Sequence, residues 1–272
     1  MYQVLLPVDD DENRALNQAR YAASLPDAES DVEVTVLTVV PPSSLDTVDD
    51  VEFEEFDAAV GAAEHLESHG IAVDRSVGDG GVAAEIVRIA DDIDCDEIVM
   101  GGRKRSGVVP ILLGSTVREV FVSTDRPVTI TGTEMVIDDG SRELLLPVDR
   151  SVERARQQAA YAASLPNAAE NVAVTVLYVF PHQDYAGAPP HDFEEIGAAV
   201  AVADRLEERG LAVERVAVGG EVTRKILAAA DDRGVDGIVM GGRRRSGVQK
   251  AILGSIAEDV MLSADRPVTL TG

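Results

Sequence analysis

The sequence predicts an α/β chain built as two tandem, doubly wound domains, each with a five-stranded parallel sheet. Three observations predict it. The chain has 272 residues, about twice the roughly 100–150 of a typical domain. Short runs rich in valine and isoleucine alternate with helical patterns, as expected for parallel strands joined by crossover helices. And the chain is written twice. Val4-Leu5-Leu6-Pro7-Val8-Asp9 returns as Leu144 to Asp149, Tyr21 to Pro26 as Tyr161 to Pro166, Val34 to Leu37 as Val174 to Leu177, and Asp125 to Thr129 as Asp265 to Thr269, always at an offset of 140. A period this long marks a duplicated domain, since solenoid repeats run at about 20–50 residues. The halves are residues 1–132 and 143–272. Residues 133–142, polar and containing Asp138-Asp139-Gly140, read as the linker.

In the first half, strands are expected at Gln3 to Val8, Val32 to Val39, Ile71 to Val77, Glu97 to Met100 and Pro127 to Thr131. Each is short and bounded by Pro, Gly or Asp. After the first strand, Asp10 and Asp11 (Ser151 in the second half) offer caps for a helix. Phe53, Phe56, Val60, Ala63 and Leu66 recur at helical spacing, and Phe193, Ile196, Val200, Ala203 and Leu206 repeat that face. Ile86, Val87 and Ala90 mark a shorter helix, and Val117, Val120 and Phe121 another after Gly114-Ser115. Ligands of such sheets sit beyond the carboxyl ends of the strands.

Composition narrows the function. Hydrophobic residues make up 45% of the chain, enough for packed cores. Asp and Glu total 49 against 24 Lys and Arg, a net charge of −25, which repels nucleic acid and anionic lipid. Only three of the basic residues are lysine: Lys104, Lys225 and Lys250. An acidic, lysine-poor surface suits a salt-rich, halophilic cytoplasm, where screening shortens self-repulsion to about 3 Å at 1 M. The longest uninterrupted apolar run, Ile196 to Ala203, is far short of the roughly 18 residues of a membrane span. Asp9, Asp10 and Asp11 stand where a signal peptide needs basic and then apolar residues. A cytoplasmic location is expected. The single cysteine, Cys95, excludes a disulfide framework and becomes Val235 in the second copy, which assigns it a structural place.

Two segments fall at the carboxyl ends of strands. Asp9, matched by Asp149, could accept hydrogen bonds from a ligand or cap the next helix. The second segment is Gly101-Gly102-Arg103-Lys104-Arg105-Ser106-Gly107, followed by Gly114-Ser115-Thr116 at a helix start. Its copy is Gly241-Gly242-Arg243-Arg244-Arg245-Ser246-Gly247, then Gly254-Ser255-Ile256. Ten of the fifteen positions from Gly101 to Ser115 are the same in both copies, and the two seven-residue loops hold six of the 24 Lys and Arg. Glycine, a helix N-terminus and gathered positive charge together favour an anion. A solvated turn pairing its arginines with surface carboxylates is the simpler alternative. A Walker A loop is absent, because Val108-Val109 stands where Lys-Ser/Thr is required, and no Gly-x-Gly-x-x-Gly follows the first strand.

This combination of a Val-Asp ending the first strand, a Gly-rich loop after the fourth and a Gly-Ser helix start resembles the universal stress protein family, in two tandem copies covering essentially the whole chain. The resemblance implies strand order 3-2-1-4-5 with about four helices per domain, and a pairing of the two halves through their last strands as an intrachain pseudo-dimer, with homo-oligomers possible. Some members bind ATP through Gly-x2-Gly-x9-Gly-Ser/Thr, others do not. Gly101, Gly114 and Ser115 fit that pattern, as do Gly241, Gly254 and Ser255, while its second glycine falls on Lys104 and Arg244. A Cβ there costs about 1–2 kcal/mol if φ must be positive; a long cation could instead fold over the phosphates. By resemblance, Asp9 and Asp149 face the adenosine, Val40 and Phe180 lie near the base, and Met100, Thr116, Met240, Ile256, Arg103, Gly107, Arg243 and Gly247 complete the two sites. The ligand implied is ATP or AMP, with Mg²⁺ if ATP.

His65 and His69 are four apart on a helix, but their counterparts are Arg205 and Arg209, so a cation-tolerant helix end explains both halves better than a metal. His182 and His191 lie in a Pro-rich loop with no ligand cluster. No Ser-His-Asp or Cys-His set recurs, and no general base stands out beside the loop, so a regulatory nucleotide binder with at most slow hydrolysis is expected. The alternatives are a stress protein that binds no nucleotide and acts through protein association, and an enzyme of the adenylate-forming or nucleotide α-hydrolase type.

Overall fold

A computed structural model describes residues 1–41, 51–102, 114–132, 140–242 and 254–272. The chain divides into two units, Met1–Gly140 and Ser141–Gly272.

Unit one runs β1 (Tyr2–Val8), α1 (Glu12–Ala23), α2 (Ala28–Asp31), β2 (Val32–Val40), α3 (Asp57–Ser68), β3 (Ala72–Asp79), α4 (Val82–Asp92), β4 (Glu97–Gly101), α5 (Ser115–Ser123) and β5 (Val128–Thr131). Its strands are parallel and ordered β3-β2-β1-β4-β5. Unit two repeats the plan with β6 (Arg142–Val148), α6 (Val152–Ala162), α7 (Ala168–Asn171), β7 (Val172–Pro181), α8 (Gly197–Glu207), β8 (Ala212–Gly220), α9 (Val222–Arg233), β9 (Gly237–Gly241), α10 (Ser255–Ser263) and β10 (Val268–Thr271), ordered β8-β7-β6-β9-β10. The fold class and strand order are those expected. The first strand of unit two starts at Arg142, inside the stretch read as linker.

The central strands are mostly apolar because helices cover both faces. Val4, Leu5 and Leu6 of β1, and Val34, Val36 and Leu37 of β2, are fully buried. At its amino end β4 buries a carboxylate: Glu97 accepts hydrogen bonds from the hydroxyls of Tyr2 at 3.1 Å, Tyr21 at 2.9 Å and Thr129. Unit two places Gly237 at that position and Arg142 at that of Tyr2. The amino ends of the two sheets have diverged.

One helical pattern is interrupted. Phe53 to Glu55 form a 3₁₀ turn, and α3 begins only at Asp57, because Phe56 is non-helical at φ −108°, ψ 88°. The Glu52 and Glu55 side chains close a capping box at the start of the turn. At the far end of α3, His69 Nδ1 hydrogen-bonds the His65 carbonyl at 2.8 Å, closing the last turn.

Candidate functional site

The β1–α1 corner is built by three side chains. Asp11 is the N-cap of α1, accepting from the Arg14 amide at 3.0 Å, and Ser151 caps α6 by accepting from the Arg154 amide. That leaves Asp9 outside the capping role. Its carboxylate accepts from the Asp11 amide at 3.2 Å and from the Arg14 guanidinium at 3.2 and 2.5 Å. Asp149 does the same with the Ser151 amide at 2.8 Å and the Arg154 guanidinium. Both carboxylates are exposed beyond the strand ends.

Helix α1 also reaches the neighbouring strand. Gln18, fully buried, donates from Nε2 to the Pro7 carbonyl of β1 and the Val99 carbonyl of β4, each at 2.8 Å. Gln158 makes the same pair of bonds to Pro147 and Val239, at 2.9 and 2.7 Å. A buried carbonyl without a donor is costly, so one amide group serves both strands where they part. Here the strand order reverses, the switch point of the sheet.

The glycine ending β4 is explained by this approach. A Cβ on Gly101 would lie 3.1 Å from Arg14 Cβ and from Gln18 Oε1; on Gly241 it would lie 2.8 Å from Arg154 Cβ. The next glycine, Gly102, meets β5: its amide donates to the Thr131 carbonyl at 3.1 Å, and a Cβ would fall 2.4 Å from that oxygen. These leading glycines therefore admit the protein's own helix and strand.

Gly114 and Gly254 are the N-caps of α5 and α10, with extended ψ near 145° and no side chain to cover the first-turn amides. Ser115 and Ser255 open those helices and are exposed, as is Ile256; Thr116 is half-buried. Met100 and Met240 are buried one residue before the end of their strands, and Val40 and Phe180 are buried at the carboxyl ends of β2 and β7. Arg103, Lys104, Gly107, Arg243, Arg244 and Gly247 lie outside the described residues. The structure thus gathers Asp9, Gly101 and their copies around one switch point per unit, linked through Arg14 and Arg154. The sequence reading missed both arginines and both glutamines. Their recurrence at the 140-residue offset was the available signal.

Comparison with known proteins agrees with this duplication. The universal stress protein family matches residues 1–132 and again 140–272. The universal stress protein YxiE of Bacillus subtilis is 28% identical over 150 residues, covering 50% of this chain and 95% of its own. The crystal structure of a universal stress protein from Archaeoglobus fulgidus has the same fold over 99% of this chain and 97% of its own, at 23% identity and a TM-score of 0.73. A universal stress protein from the same species, solved in complex with dAMP, is 24% identical over 48% of this chain and 97% of its own, with a TM-score of 0.39. With one complete match to each half, the chain belongs to the universal stress protein family, as a tandem pair of its domains.

Proposed function

We propose that this chain is a regulatory protein that binds an adenine nucleotide at the β1/β4 switch point, with occupancy rather than turnover as its signal. The observation that carries the reading is selective retention between the copies. At the carboxyl ends of the strands both units keep the aspartate–arginine pair, the buried glutamine, the strand-end glycine and the Gly-Ser helix start. At the opposite end, Glu97 and Tyr2 have become Gly237 and Arg142.

Asp9 or Asp149 would accept from the ribose. The α5 or α10 N-terminus, with the Ser115 or Ser255 hydroxyl, would hold phosphate beside the arginine-rich loop. Among the described residues no group of His, Cys, Asp and Glu is arranged to hold a metal ion, so Mg²⁺ would arrive on the triphosphate. The carboxylates nearest β1 support a binding role: Asp9 and Asp11 are both tied to Arg14, at 2.5 and 2.9 Å.

The test is direct. Protein purified from its own cytoplasm should retain adenine nucleotide, seen as raised absorbance at the nucleobase band and as ATP or AMP on chromatography. Protein that carries none and gives no heat with millimolar ATP would favour association with other proteins instead.

A further inference from the structure

The two units part company at the carboxyl end of the second strand of each. In unit two, β7 runs on to Pro181, and the chain turns at His182 with φ +60°, a conformation uncommon for a residue with a side chain. The His182 amide donates to the Gly220 carbonyl at 3.1 Å. After an exposed excursion through Tyr185, the segment returns and packs the His191 ring against Phe180, centroids 5.2 Å apart and planes tilted by 53°. Phe180 is itself braced edge-on by Tyr178 at 4.9 Å, and the Tyr178 hydroxyl accepts from Arg150 at 3.2 Å.

Gly219, the register partner of Phe180, makes room for the imidazole. A Cβ there would stand 1.9 Å from the Gln183 carbonyl oxygen and 2.2 Å from His191 Nε2. That nitrogen is buried with no hydrogen-bond partner. An imidazole left so is held by packing and not by its polar edge, and it forfeits a bond that water would supply. Unit one has none of these parts: Thr38, Val40, Val51 and Asp79 occupy the positions of Tyr178, Phe180, His191 and Gly219, and Asp79 is exposed.

We propose that His191 is a built-in competitor for the nucleobase of unit two: a heteroaromatic ring packed against Phe180 at the strand end, so that ATP fills unit one while unit two stays self-occupied until the 182–192 segment lifts. This rests on the nucleotide reading above. It adds that the two copies are unequal and names the residue responsible.

Titration calorimetry with ATP on the full chain should give one site per chain for the wild type and two for His191→Ala. Gly219→Ala, whose methyl group cannot coexist with the docked imidazole, should also give two, and serves if His191→Ala does not fold. In the wild type, the His191 ring resonances should stay unmoved when ATP saturates the first site. Two sites in the wild type, one site in every variant, or displacement of the His191 signals at saturation would overturn the competitor and leave the nucleotide reading intact. No ATP bound by the wild type or either variant would overturn the nucleotide reading itself.

Discussion

Arg14 reaches back five residues to Asp9, and its Cβ covers the face of Gly101, so one side chain joins the carboxyl ends of β1 and β4. Arg154 repeats this with Asp149 and Gly241. The ion pair is half-exposed, with side-chain exposures of 19% and 42%, and such pairs contribute at most about 1 kcal/mol to stability. Its value is positional: it fixes a carboxylate at the lip of the switch point.

Asp9 and the arginine-rich loop should therefore read different ends of a nucleotide. Asp9→Ala with Asp149→Ala should weaken ATP and adenosine alike, by the roughly 1.5–3 kcal/mol of a charged hydrogen bond. Arg103→Ala, Lys104→Ala and Arg105→Ala together should weaken ATP and spare adenosine. Calorimetry with both ligands checks the split, and equal losses from the loop variant would remove it from phosphate binding.

Lys104 and Arg244 stand where nucleotide-binding relatives are expected to have glycine. Two unlike cations at equivalent positions point to charge as the retained property. Lys104→Gly with Arg244→Gly should lower ATP affinity, each lost charged contact costing about 1.5–3 kcal/mol. Tighter binding would show instead that Cβ strain was the obstacle.

The sheets were legible because most strands are short runs rich in Val, Ile and Leu with Pro, Gly or Asp nearby. Boundaries moved where a buried residue did something other than pair. Ile71 was expected to open a strand; its amide instead donates to the Leu66 carbonyl at 3.2 Å after Gly70 turns with φ +76°, and pairing starts at Ala72. The corner residues of the site were hidden for a related reason. On α1 the buried face includes Asn17 and Gln18, so hydrophobic periodicity does not mark them. Gln18 is buried to satisfy strand-end carbonyls, a demand set by the topology and not by the local sequence. His191 was passed over because it has no ligand cluster; its partner is an aromatic ring.

Gln18→Leu keeps the volume and removes the donor. The Pro7 and Val99 carbonyls would be left buried without it, at about 1–3 kcal/mol each. Urea denaturation should show unit one losing roughly 2–6 kcal/mol by that arithmetic, and Gln158→Leu should cost unit two as much. A loss below about 1 kcal/mol would mean that water replaces the amide.

With a net charge of −25, the folded chain repels itself at low salt. Raising KCl from 0.1 M to 1 M shortens the screening length from about 10 Å to about 3 Å, so the thermal midpoint should rise steadily across that range. A midpoint that is flat or falls with KCl would show that the attractive pairs, such as Arg215 with Asp204 and Glu207, outweigh the repulsion.

Cys95 should be silent in the native protein. It is fully buried just before β4, and burial is the largest cause pushing its thiol up to about 12, against a weaker downward pull from Arg126. The neutral thiol is thus favoured in the folded state across the physiological range. For a group raised in this way, the stabilisation is fully present below the unfolded value of about 9 and is lost as pH rises from there through about 12. A disulfide reagent at pH 8 should modify the native chain only at the rate of opening, and stoichiometrically in 6 M guanidinium. Cys95→Val, which installs the residue of the second copy, should leave stability at pH 7 within about 1.5 kcal/mol and flatten its decline between pH 9 and 12. Rapid native labelling at pH 8 would place the thiol at the surface and overturn this assignment.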